Sequence, residues 1–133
     1  MPKVFSSEKQ KIGELGENIA AKFLVKHNFL ILDRNYTKKW GELDIVAEKE
    51  GKIYFIEVKS VSRETLPEAE DSGYRPEENM HPWKIKRMSR TIQTYLLNKK
   101  IPEDKEWQVN LIIVFLIQKT KEAKIKVVEY LIL

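Results

Sequence analysis

Residues 41–60 read GELDIVAEKEGKIYFIEVKS, two runs rich in β-branched and aromatic residues with Glu50-Gly51 between them. That pattern predicts two strands, Glu42–Glu48 and Lys52–Ser60, joined as a hairpin. Residues two apart on a strand share a face. Glu57 and Lys59 therefore project together with Ile53 and Phe55, and Tyr54, Ile56 and Val58 make the opposite face apolar as well. A strand apolar on both faces belongs in the middle of a sheet covered by helices. Charges that end such a strand need an explanation that a solvated strand does not.

Working outward, Ser7 and Gln10 have the spacing of a capping box and predict a helix from about Ser7 to Lys26. Its apolar stripe is read as Ile12, Leu15, Ile19 and Phe23, widened by Gly16 and Ala20. Phe29–Asn35 reads as a short strand. Between Val61 and Met80 the periodicity disappears, Pro67, Gly73 and Pro76 break any regular element, and acids accumulate, which reads as a long acidic loop. Pro82 suits the first turn of a second helix reaching about Asn98, with Ile85, Met88, Ile92 and Tyr95 or Leu96 as its core stripe. Two further strands are expected at about Trp107–Gln118 and Lys124–Ile132. The order is helix, three strands, helix, two strands, a single α/β domain over residues 1–133.

Composition narrows the chemistry. Of 133 residues 42% are hydrophobic and 33% charged, a globular balance, and no apolar run is long enough to span a bilayer. No signal peptide is read at the N-terminus, so the expected location is the cytoplasm and no membrane partner is expected. The absence of cysteine excludes disulfides, thiol catalysis and cysteine-bound zinc, and His27 and His81 lack metal-ligand spacing. The net charge of +4 is compatible with nucleic acid without requiring it. Its distribution says more: residues 83–100 carry Lys84, Lys86, Arg87, Arg90, Lys99 and Lys100 with no acid, after a stretch dominated by Glu64, Glu68, Glu70, Asp71, Glu77 and Glu78.

If the hairpin closes at Gly51, Asp44 comes close to Glu57, and Glu42 shares the Asp44 face. Two carboxylates held together in an apolar sheet repel each other and lose hydration. A divalent cation removes that cost, and hard oxygen ligands suit Mg²⁺ or Mn²⁺, which keep several waters and leave room for a phosphate. Lys59 would orient a water or offset charge developing on the phosphate. The bland reading is a cross-strand or same-face salt bridge, the usual meaning of an isolated Glu-x-Lys. Glu17 lies at the edge of the helical stripe and reads either as a boundary residue reaching water or as a third ligand.

Taken in order, Gly16-Glu17-Asn18-Ile19-Ala20, Arg34-Asn35-Tyr36, Gly41-Glu42-Leu43-Asp44-Ile45-Val46 and Phe55-Ile56-Glu57-Val58-Lys59 resemble the bacterial YraN-like family. The same signature is similar to the archaeal Holliday-junction resolvases. The resemblance implies a restriction-endonuclease-like fold of the PD-(D/E)xK kind, a three-layer sandwich around a mixed central sheet. It further implies that Asp44 and Glu57 are metal ligands, that Lys59 is the catalytic lysine, and that Glu17 is an additional acidic site residue and ligand. Leu43 stands where the eponymous motif has proline.

The implied activity is metal-dependent hydrolysis of phosphodiester bonds in DNA, including branched or structured DNA, and the resolvase analogy implies a homodimer. Lys84, Lys86, Arg87 and Arg90, reinforced by Arg63, would contact phosphates. A plain solvated helix face explains the same cluster equally well, and for Trp83 an anchor at the helix start is preferred over base stacking. Two other classes stay open: a non-catalytic nucleic-acid-binding module of a larger assembly, and a protein-interaction domain built on the acidic loop.

Overall fold

The computed structural model describes residues 7–64 and 82–129, and for Pro82 and Trp83 the backbone alone. The elements are α1 (Glu8–Lys26), β1 (Leu30–Lys38), β2 (Gly41–Lys49), β3 (Lys52–Arg63), α2 (Pro82–Asn98), β4 (Trp107–Ile117) and β5 (Glu122–Val128). The acidic-loop reading for residues 65–80, His81 and the expected strand end at residues 130–132 lie outside the described residues.

The strands form one five-stranded sheet in the order β1-β2-β3-β4-β5. β3 and β4 run parallel, from Ile53↔Trp107 to Arg63↔Ile117, and the other pairs are antiparallel. Parallel neighbours need a crossover connection, and α2 lies within it. β3 is central, as its two apolar faces require. On one face Ala20 and Leu24 of α1 pack with Ile45, Ala47, Ile56, Ile112 and Val114. On the other, Met88, Ile92 and Tyr95 of α2 pack with Val46, Ile53, Phe55 and Val109. Helix, mixed sheet and helix make the three-layer sandwich of the restriction-endonuclease type. No helix among the described residues is long and apolar enough to cross a membrane.

The first helix begins where its cap residues place it. The Gln10 amide donates to Ser7 Oγ and the Ser7 amide to Gln10 Oε1, both at 3.0 Å. Its buried face differs from the expected stripe: Leu15 is 51% exposed, whereas Gly16, Ala20, Ala21 and Leu24 are buried. The cause is close approach. A Cβ on Gly16 would stand 1.8 Å from Ser60 Oγ and 2.9 Å from Ser60 Cβ, so small residues must face the sheet. The longer Ile19 and Phe23 pack at the margin of that contact.

α2 docks by a similar device on the other face. A Cβ on Gly41 would lie 2.4 Å from Thr91 Oγ1 and 3.2 Å from the Arg87 carbonyl oxygen. Thr91 is fully buried and donates its hydroxyl to the Arg87 carbonyl at 2.7 Å. Further along α2, the buried Tyr95 hydroxyl donates to Asp33 Oδ2 at 2.7 Å, tying the helix to β1. Burial, and then that bond to Asp33, raise the Tyr95 hydroxyl above its ordinary range. Tyr95→Phe removes this tie without opening a cavity, and we expect it to lower unfolding stability by about 1 kcal/mol in urea titrations. An unchanged midpoint would mean that the tie carries no net stability.

Candidate metal and phosphate site

Both glycine contacts lie near the same end of the sheet, where β2 and β3 part. Their ladder runs from Lys49↔Lys52 to Ile45↔Ile56, and beyond it β3 pairs onward with β4. Continuing the register would set Asp44 opposite Glu57 and Leu43 opposite Val58. Instead the Asp44 side chain enters the ladder: the Val58 amide donates to Asp44 Oδ2 at 2.8 Å. Leu43 packs in the α2-side cluster and Ile45 in the α1-side cluster, so β2 turns over at Asp44. A carboxylate satisfying a strand amide is held toward β3, beside Glu57, which is itself only 7% exposed.

The electrostatics follow from that crowding. The Asp44 carboxyl is pushed up to about 8, first by burial and next by the charge of Glu57; the Val58 amide works in the opposite direction. Glu42 is also raised, by burial and then by Glu17 and Glu57. Four acids from α1, β2 and β3 therefore feel one another around one cleft.

The cleft has a volume of about 720 Å³ and is lined by Glu17, Glu42, Asp44 and Glu57 together with Lys84 and Arg87. Glu17 accepts a hydrogen bond from Arg34 Nη2 at 3.1 Å, and the same nitrogen donates to Asn18 Oδ1 at 2.8 Å. The Lys84 ammonium forms an ion pair with Glu57. Lys59 follows Glu57 on the same strand face but is not among the described residues that line the cleft.

The basic residues divide. Lys84 and Arg87 line the cleft. The Arg90 guanidinium stands 4.2 Å over the ring of Trp40, another lining residue. Lys86 is exposed on α2 and does not line the cleft; Arg63, at the C-terminal end of β3 next to the lining residue Ser62, is not itself among the lining residues and lies 5.4 Å over the Phe115 ring. Lys9, Lys38, Lys39 and Trp40 also line the cleft and were not singled out from the sequence. A signal for three of them was available: Lys38-Lys39-Trp40 directly precedes Gly41-Glu42, so a tight β1–β2 turn must leave them at the carboxylate end. Trp40 Nε1 is buried there without a hydrogen-bond partner among the described residues.

Among the described residues no group of three or more acids or histidines converges closely enough to cage a metal ion. Asp44 and Glu57 nonetheless suit an octahedral hard cation, which one or two carboxylates hold while water and phosphate oxygens fill the remaining positions. Glu17, engaged by Arg34, lines the same cleft, and its charge raises Asp44.

The fold and cleft define an α/β/α protein with paired carboxylates at the parting ends of two central strands and a cationic surround. The family model described as uncharacterised protein family UPF0102 matches residues 16–128, and the chain belongs to that family. A UPF0102 protein of Campylobacter fetus subsp. fetus is 39% identical over 100 residues, covering 75% of this chain and 80% of its own. One from Campylobacter hominis is 35% identical over 102 residues, 77% and 81% of the two chains. One from Wolinella succinogenes is 37% identical over 89 residues, 67% and 73% of the two chains.

Proposed function

We propose that this protein is a metal-dependent endonuclease hydrolysing phosphodiester bonds in DNA, with structured or branched DNA as the substrate class. The observation that carries the reading is the pairing of Asp44 with Glu57 where β2 and β3 part, in a cleft whose other walls bear Lys84 and Arg87. A carboxyl raised this far by burial and by a neighbouring carboxylate, in a cleft, is the kind of perturbed group that marks a functional site. Asp44 and Glu57 would hold Mg²⁺ or Mn²⁺, with Glu17 as an additional acid on the α1 side. When bound, the cation polarises a phosphoryl oxygen and acidifies a coordinated water. Lys59, one strand repeat beyond Glu57, would reach the scissile phosphate and offset its developing charge. Arg87 and Arg90 would hold the flanking phosphates without reading bases.

The test is cleavage of a four-way DNA junction and of a linear duplex with Mg²⁺ or Mn²⁺. Activity on either substrate is expected to vanish in Asp44→Ala and to fall at least about a hundredfold in Lys59→Ala, the scale of one lost electrostatic contact in a transition state. Cleavage that survives Asp44→Ala would overturn the reading.

One observation favours a second reading, a non-catalytic nucleic-acid-binding module. Glu57 already has a partner in Lys84, and no three-ligand group forms among the described residues. That reading predicts salt-dependent DNA binding with no cleavage under any divalent cation.

A further inference from the structure

The acids of the cleft have unlike partners. Glu17 is held by Arg34, whose planar guanidinium is fixed by a second acceptor, Asn18. Asp44 takes a backbone amide that cannot leave the strand. Glu57 takes an ammonium on a flexible four-carbon stem, and the Lys84 side chain is 51% exposed against 9% for Glu57. The buried partner is therefore fixed and the exposed one is free to swing. A divalent cation shared by Asp44 and Glu57 would draw on the Glu57 carboxylate whose Oε2 the Lys84 ammonium now holds. Both positive groups cannot occupy that carboxylate at contact distance without strong repulsion.

We propose that Lys84 is the resident counter-ion of Glu57, displaced when a divalent cation binds and thereby released to hold a substrate phosphate. This rests on the reading of Asp44 and Glu57 as a cation site. It makes Lys84 a positioning residue that couples the metal and phosphate subsites: α2 presents its ammonium beside Arg87, one turn further along, to a phosphate after the cation has taken Glu57. An ammonium suits such an exchange because it is a compact charge on a flexible stem. A guanidinium would grip a carboxylate through two parallel hydrogen bonds and resist displacement.

Calorimetric titration of the full chain with Mn²⁺ tests this in wild type, Lys84→Met, Lys84→Arg and the surface control Lys124→Met. Lys84→Met is expected to bind Mn²⁺ roughly threefold or more tightly than wild type, the scale of one partly exposed ion pair removed from competition. Lys84→Arg should bind more weakly, and Lys124→Met should match wild type. A second readout is the affinity for a short DNA duplex by fluorescence anisotropy with Ca²⁺ present or absent. The gain that Ca²⁺ gives wild type should shrink in Lys84→Met. A purely structural Lys84 would lower stability and weaken metal binding together, so Mn²⁺ affinity in Lys84→Met equal to or below wild type overturns the proposal while the metal site stands. If neither wild type nor Lys84→Met binds Mn²⁺, the metal site itself fails and the proposal with it. Thermal unfolding of each variant identifies any that does not fold, and Lys84→Arg then carries the test alone.

Discussion

Asp44→Asn is expected to make the metal-free protein more stable at about pH 8.5 and to abolish its binding of Mn²⁺. The Asp44 carboxyl is raised from its ordinary 3.8 to about 8, chiefly by burial and then by Glu57. In the folded protein it keeps a proton that the unfolded chain releases near its ordinary value. Between those two values the folded state binds more protons, so stability falls as pH rises, and the full cost is present once the folded carboxyl ionises. That cost is on the order of a few kcal/mol. Asparagine keeps an oxygen for the Val58 amide without a charge to desolvate.

Urea titrations from about pH 6 to pH 8.5 should therefore show wild type losing stability and Asp44→Asn holding level. Saturating Mn²⁺ should restore wild type at the upper pH, because a cation bound only by the folded state adds stability by mass action, and should leave Asp44→Asn unmoved. Wild-type stability that rises over the same window would mean that Asp44 is not desolvated as its geometry demands.

The second large effect is expected from the smallest substitution. Gly16→Ala puts a methyl group 1.8 Å from Ser60 Oγ and 2.9 Å from Ser60 Cβ. Rotating the hydroxyl relieves the first contact. The second involves a carbon fixed to β3, so α1 must lift away. Overpacking of this kind costs about 1–3 kcal/mol, and the better helix propensity of alanine offsets up to about 1 kcal/mol. The expected result is a net loss of about 1–2 kcal/mol in denaturant unfolding. Because Glu17 is the next residue, its place in the cleft should shift with the helix. Ser60→Gly removes both offending atoms, so the double variant should regain most of what Gly16→Ala loses. Equal losses in the single and double variants would show that the helix–strand contact is not the cause.

Much of this could be read before any packing was known. The Ser7–Gln10 cap, the two helices, the central position of β3 and the nearness of Asp44 to Glu57 all follow from local chemistry and from the short-range register of one hairpin. Spacing of 3.6 or 2 residues leaves a signature that a single chain carries on its face. The strand ends were less legible: β1 continues to Lys38 past the expected Asn35, because its pairing with β2 runs on to Lys38↔Gly41.

What tertiary structure decided is which groups meet across elements. Leu15 reads as core, yet the closeness of α1 to Ser60 turns the helix so that Gly16 and Ala20, the small residues at the edge of the expected stripe, face the sheet and Leu15 faces out. Lys59 shares a strand face with Glu57, yet the ammonium that reaches Glu57 is that of Lys84. It comes from a helix whose crossing over the sheet is set by Gly41 against Thr91. Lys38, Lys39 and Trp40, by contrast, line the cleft because the β1–β2 turn directly precedes Gly41-Glu42, a placement the sequence already carried. By itself the sequence determined the elements, the sheet centre and the carboxylate pair, since each depends on neighbours along the chain or one turn away. Only the folded arrangement decided which helix-borne cation meets that pair, because this depends on the rotation and approach of α2, and contact sterics between distant residues set those.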